Sequence, residues 1–195
     1  MGFLRKMGIN EHNVSVMQRL YKGQQASVRV EGSLLDWFAI KKGVRQGCLI
    51  SPVSFNCYSE YIMRESADDL TLIGVTFSGR TMNNLRYADD ILLIAQSPRA
   101  LQTLLDKVVA VSGEYGLEIN TKKTKVMAII PQKEHIAIIC QGKELEQAET
   151  FKYLGAIITD NGDCSKEIQA RLGAARGASL DSRLFAERQV LTCQG

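Results

Sequence analysis

The stretch Leu85-Arg86-Tyr87-Ala88-Asp89-Asp90-Ile91-Leu92-Leu93-Ile94 decides how the chain is read. Two apolar segments flank adjacent carboxylates. The four apolar residues at 91–94 predict a fully buried strand, and Leu85-Arg86-Tyr87 predicts its partner across a tight turn. Adjacent carboxylates between buried strands repel one another unless a cation sits there or water reaches the turn, and Asp is also an ordinary hairpin residue. A hard divalent cation such as Mg2+ suits carboxylate oxygens and is often held by one or two of them together with phosphates and water.

Working outward, Ser97-Pro98 opens a helix with Leu101, Leu104, Leu105 and Val108 at helical spacing, closed at Gly116. Upstream, Ser51-Pro52 looks like an N-cap followed by proline at the first helical position. That helix is expected to run to about Ala67 and to bury Val53, Cys57, Tyr58, Tyr61 and Ile62. Asn10 to Tyr21 reads as a helix capped by Asn10, and Ala26 to Ile40 as a hairpin broken at Gly32-Ser33. Leu70 to Phe77, Val126 to Ile130, Ile136 to Cys140 and Phe151 to Ile158 read as strands, and helix returns from Ser165 with Ile168, Leu172 and Ala175 aligned. Helices and strands mix without strict alternation, which predicts an α+β fold around an antiparallel sheet.

Composition narrows the class. The 195 residues are 45% hydrophobic and 23% charged, which argues against a disordered chain. Lys and Arg exceed Asp and Glu by 24 to 21, so a nucleic-acid partner would have to be held by local clusters of cations. No apolar stretch reaches the roughly 18–20 residues of a membrane helix, and no membrane partner is expected. Five scattered cysteines without a Cys-x-x-Cys pair read as reduced thiols of an intracellular protein, nuclear or cytoplasmic.

Two more stretches carry chemistry. In Gly43-Val44-Arg45-Gln46-Gly47-Cys48-Leu49-Ile50-Ser51-Pro52, the glycines allow close backbone approach to a ligand, and the helix start favours an anion such as phosphate. Asn120-Thr121-Lys122-Lys123-Thr124-Lys125 is a lysine run after a helix, a pattern that is ordinarily solvated.

In order, Gly43–Pro52, Tyr87–Asp90, Gly116–Lys125 and Phe151–Gly155 resemble motifs B, C, D and E of a reverse transcriptase. The wording Gly-Val-Arg-Gln-Gly-Cys-x-x-Ser-Pro and Arg-Tyr-Ala-Asp-Asp-Ile is similar to the non-LTR (LINE-like) retrotransposon branch. The resemblance implies a palm-type antiparallel sheet with packed helices and incomplete fingers over 1–160. It also implies a truncated, thumb-like helical segment over 161–195.

The implied reaction joins a dNTP to a primer 3′-hydroxyl on an RNA template with a DNA primer, using Mg2+ or Mn2+ in a two-metal mechanism. Asp89 would ligate metal directly, with Asp90 accessory because neighbouring strand residues point to opposite faces. Arg45, Gln46, Gly47, Tyr87 and Ala88 would lie at the template, nucleotide and primer terminus. Lys123 would approach the triphosphate and could protonate pyrophosphate. Tyr153, Leu154 and Gly155 match the primer grip. Lys166, Arg171, Arg176, Arg183 and Arg188 resemble the start of a basic thumb, or equally the polar face of an ordinary helix.

The motif A Asp of the family has no counterpart here. The only Asp before motif B, Asp36, sits inside the expected hairpin and lacks the surrounding Phe-Asp pattern. The sequence thus predicts a chain that starts after motif A and is inactive by itself. A non-catalytic nucleic-acid-binding module and a transposon remnant are the alternatives, and no obligate protein partner is evident.

Overall fold

The computed structural model describes residues 2–45, 47–67, 73–129 and 135–190, with side chains to residue 177. The chain divides into two compact units, 1–118 and 119–195.

In the first unit, α1 (Gly2–Lys6) and α2 (Glu11–Tyr21) precede one long hairpin of short strands, β1 (Gln25–Ala26), β2 (Arg29–Val30), β3 (Ser33–Leu34) and β4 (Phe38–Ala39). Asn10 caps α2 as its sequence suggests, accepting the His12 N–H at 2.8 Å, and Val14 is fully buried. Then follow α3 (Ser51–Ala67), β5 (Val75–Phe77), β6 (Arg80–Met82), β7 (Asn84–Tyr87), β8 (Asp90–Leu93) and α4 (Pro98–Glu114). Helix α4 begins where its cap residue stands, since Ser97 Oγ accepts the Ala100 N–H at 3.2 Å. It ends at Gly116, whose φ of 72° is the left-handed geometry that glycine adopts without penalty. Removing the cap by Ser97→Ala should cost about 1 kcal/mol, read as a lower urea midpoint at unchanged slope.

The core lies between helices. Tyr61, Ile62 and Val111 form a buried cluster onto which Phe3, Met7, Tyr58, Tyr115 and Leu117 pack. The rings meet edge to face, Phe3 on Tyr58 at 4.9 Å and Tyr61 on Tyr115 at 5.4 Å between centroids. Their hydroxyls are partnered: Lys6 Nζ donates to Tyr61 Oη at 2.7 Å, and Tyr115 Oη donates to Glu65 at 2.7 Å. Tyr58 Oη donates to the Tyr115 carbonyl, so a phenol ties α3 to the end of α4.

In the second unit, β9 (Lys125–Val126) lies parallel to β12 (Glu146–Gln147), and β10 (Ile139–Cys140) pairs antiparallel with β11 (Lys143–Glu144). Strand β13 (Thr150–Tyr153) pairs antiparallel with β14 (Ala156–Thr159), and α5 (Ser165–Val190) follows. The helix is pinned at its first turn, where Glu167 Oε2 accepts the Ile157 N–H at 2.6 Å and Asp163 Oδ1 accepts the Ser165 N–H at 2.9 Å.

The mixed α+β class agrees with the sequence, but several local expectations are corrected. Among the described residues every ladder has two strands, and one of the seven is parallel. Ile91 is therefore exposed and Leu92 to Ile94 only half-buried, because no third described strand covers that edge. Val53 points to solvent, 61% exposed, since α3 turns its serines inward: Ser51, Ser54, Ser59 and Ser66 are buried. Ser51 is the first residue of α3, not its cap; its Oγ donates to the Arg45 carbonyl at 2.6 Å. The run Phe151–Ile158 folds back at Leu154-Gly155, both left-handed. Ile168 and Leu172 are exposed on α5. Part of the expected strands at Leu70 to Phe77 and Val126 to Ile130 falls outside the described residues.

Candidate active site

Strands β7 and β8 pair from Asn84↔Leu93 to Tyr87↔Asp90, which leaves Ala88 and Asp89 as a two-residue turn. Ala88 takes φ 52°, a conformation that costs a residue with a Cβ about 1–2 kcal/mol. Nothing in the residue type announces it. The strain is accepted at the residue that separates Tyr87 from the carboxylates. Asp89 occupies the turn and Asp90 the first position of β8, and both are exposed. Neither side chain has a hydrogen-bond or ion-pair partner among the described residues.

The loop before α3 has the geometry its glycines suggest, with φ 95° at Gly43 and 80° at Gly47. It closes through the Ser51 N–H on the Cys48 carbonyl at 3.1 Å, and through Ser51 Oγ, which also lies 3.1 Å from Tyr21 Oη. Hydrogen bonding from the Ile50 backbone, against the effect of burial and with help from Ser51 and Arg45, holds the Cys48 thiol below its ordinary value. Arg45 is exposed; Gln46 lies outside the described residues.

An open groove of about 520 Å3 runs between α3 and β7. Pro52, Phe55, Asn56, Ser59 and Glu60 form its helix wall, and Asn84 to Ala88 its strand wall. The structure thus brings Tyr87 and Ala88 against α3, while Arg45, Gly47, Asp89 and Asp90 are not in the lining. Phe55, Asn56, Ser59, Glu60 and Arg86 were not singled out by sequence. The first four recur on α3 every one to three residues around one face, a mixed polar face that no apolar period marks, and Arg86 stands opposite on β7.

Glu60 clamps the two walls. Its Oε2 lies 2.5 Å from Arg86 Nη2, and its Oε1 lies 2.6 Å from Arg64 Nε. Partial burial pushes the Glu60 carboxyl up, but the Arg64 hydrogen bond and the charges of Arg86 and Arg64 outweigh it. The carboxyl is held below its ordinary 4.5. A lowered folded-state value means that the clamp stabilises the fold fully above the unfolded-state value and is lost as pH falls through the folded one. Thermal stability should therefore drop as pH falls below about 4.5, and Glu60→Gln should flatten that drop.

In the second unit, Asn120 organises the turn that carries Lys123. Its carbonyl accepts the Lys123 and Thr124 N–H groups, each at 3.0 Å, and its Oδ1 accepts the Lys122 N–H at 3.2 Å. Lys122 and Lys123 are exposed, whereas Lys125 is paired with Glu146 at 2.6 Å. Tyr153 is half-buried at the end of β13, and Leu154 and Gly155 form the exposed turn beside it. Arg171 is paired with Glu167, and Lys166 donates to Thr150 Oγ1 at 3.3 Å.

Metal fit follows from the donors. Asp89 and Asp90 offer the hard oxygen ligands that a divalent ion takes. Among the described residues no group of three or more His, Cys, Asp or Glu side chains gathers that could hold a metal ion. No helix of the described residues is long and apolar enough to cross a membrane.

Comparison with known sequences defines the class of protein to which this groove and the carboxylate turn beside it belong. The profile of "Reverse transcriptase (RNA-dependent DNA polymerase)" matches residues 3–158, and the chain belongs to that family. It is 28% identical over 207 residues to the "Retrovirus-related Pol polyprotein from type-2 retrotransposable element R2DM" of Drosophila melanogaster, covering 98% of this chain and 19% of that protein. It is 26% identical over 160 residues to the corresponding "type-1 retrotransposable element R2" polyprotein of Nasonia vitripennis, covering 76% and 15%. A "putative uncharacterized transposon-derived protein" of Caenorhabditis elegans is 38% identical over 109 residues, covering 54% and 39%. The chain thus spans about a fifth or less of the length of the two retrotransposon polyproteins.

Proposed function

We propose that this chain is the palm-type portion of an RNA-directed DNA polymerase, serving nucleotidyl transfer from a dNTP to a primer 3′-hydroxyl on an RNA template. The observation that carries the reading is the turn at Ala88-Asp89, left-handed at Ala88, which sets two unpartnered carboxylates next in the chain to Ala88, a residue of the α3–β7 groove, in a chain of this family. Asp89 and Asp90 would hold Mg2+, with Mn2+ as substitute, and an ion bound there would supply Lewis-acid activation of the attacking hydroxyl and charge stabilisation of the leaving pyrophosphate. Tyr87 and Ala88 border the primer terminus, and the absence of a larger side chain at 88 leaves room for the sugar. Arg45, Gln46 and Gly47 approach the template, Lys123 the triphosphate, and Tyr153 to Gly155 the primer. Helix α5 opens a thumb-like segment.

The second reading, a nucleic-acid-binding module without catalysis, is favoured by the lack, among the described residues, of a second aspartate on a strand other than β8; Asp36 is exposed in the β1–β4 hairpin. Primer extension on an RNA template separates the two. The 195-residue chain should bind template–primer in a salt-dependent manner and extend nothing. A longer chain that supplies the upstream aspartate should extend. Robust extension by the 195 residues alone would overturn the need for that aspartate, and no binding even at low salt would remove both readings.

A further inference from the structure

The β1–β4 hairpin is uncovered on both faces. Every residue from 28 to 45 is exposed, and the apolar ones are large: Trp37 at 63%, Phe38 at 53%, and Leu34 and Leu35 each at 54%. The ladder shifts by one residue along its length. Ala26 pairs with Phe38 but Arg29 with Leu34, so the returning strand carries one extra residue between Leu34 and Phe38. Such a bulge re-aims side chains, and here it falls at Asp36-Trp37, opposite Ser27.

Charge selects what covers this surface. Residues 22–45 hold the cations Lys22, Arg29, Lys41, Lys42 and Arg45 against the acids Glu31 and Asp36, a net +3 that equals the charge of the whole chain. A protein interface is depleted of charge at its centre, whereas aromatic faces interleaved with cations suit unstacked bases on a phosphate backbone. The hairpin also runs without interruption into the Gly43–Pro52 loop, assigned above to the template.

We propose that the β1–β4 hairpin is a stacking platform for single-stranded nucleic acid, with Trp37 and Phe38 against bases and Lys41, Lys42 and Arg29 on phosphates. It rests on the polymerase reading only for the continuity with the template loop. A duplex keeps its bases stacked on one another and offers no free face to Trp37, so the preference is for single strands.

Trp37 is the only tryptophan, so its emission reports this surface alone. Titrating the 195-residue chain with a single-stranded RNA of about 12 nucleotides should quench that emission, and the matching duplex should quench it far less. By anisotropy of the labelled RNA, Trp37→Ala should weaken binding roughly 5- to 100-fold at an unchanged salt slope, with Trp37→Phe restoring most of it. Lys41→Ala with Lys42→Ala should lower the slope of log K against log salt by about 1.4 and keep the quenching at saturation. Unchanged emission at saturating RNA, equal quenching by duplex, or emission that follows protein concentration alone, as when a second copy covers the hairpin, would each overturn the proposal. Quenching without extension by the longer chain would unseat the polymerase reading only; extension without quenching would unseat the platform only.

Discussion

An Ile62→Ala chain is expected to lose about 2–5 kcal/mol of stability, a large share of what holds a domain of this size together. Ile62 is 2% exposed at the centre of the α3–α4 contact, between Tyr61 and Val111. How much such a truncation costs depends on whether neighbours can move into the space. Here they are held: Tyr61 and Tyr58 are tied by hydrogen bonds to Lys6 and to the Tyr115 carbonyl, and Tyr115 is tied to Glu65. A cavity lined by tethered rings stays open, which places the loss toward the upper part of the range. Val53→Ala on the same helix removes an exposed side chain and should cost no more than about 0.5 kcal/mol. Urea denaturation of both variants checks the pair, and equal midpoints would mean that α3 does not bury the face described here. Because α3 also forms a wall of the groove, Ile62→Ala should loosen the Glu60–Arg86 clamp as well.

That polar network has a pH signature of its own. Tyr115 is held neutral well above its ordinary value, first by the Tyr61 hydroxyl and then by Glu65. Its contribution is therefore full below the ordinary phenol value of 10.0 and fades only in more alkaline solution.

Helices were legible where one residue both caps and starts them, as at Asn10 and Ser97. The turn at Ala88-Asp89 was legible from its flanking apolar runs, and the glycine loop from Gly43 and Gly47. What sequence missed has two physical causes. Burial on α3 follows small serines as well as large apolar residues, and serine gives no hydrophobic period, so Val53 was placed inward wrongly. The fold-back at Leu154-Gly155 depends on a leucine at φ 49°, a conformation that leucine does not advertise. Apolarity likewise read Ile91–Ile94 as buried, because a run of apolar residues says that cover is wanted and cannot say whether a strand within the chain supplies it. The groove residues Asn56, Ser59 and Glu60 were invisible for a related reason: a polar helix face looks like a solvent face until β7 is seen against it.

In a chain long enough to supply the upstream aspartate, Asp89→Asn is expected to lower primer extension by about 10³-fold or more, while template–primer binding stays within a few-fold. Neutralising a carboxylate that holds a catalytic ion forfeits several kcal/mol of transition-state stabilisation, and each 1.4 kcal/mol is about a factor of ten. Binding of the duplex rests instead on cations and phosphates, which the substitution leaves in place. Asp90→Asn should cost less. Asp90 is the first residue of β8, its backbone fixed in the ladder by pairing with Tyr87. Asp89 stands in the turn itself, free of the ladder. Asn keeps the size and the turn-forming habit of Asp, so the hairpin survives and the loss reports charge rather than folding. Single-turnover extension across a range of Mg2+ concentrations is the decisive measurement. Losing a ligand should move the metal dependence to higher concentration as well as lower the rate. A rate loss with an unmoved metal dependence would leave Asp89 as a residue of the turn and take the ion away from it.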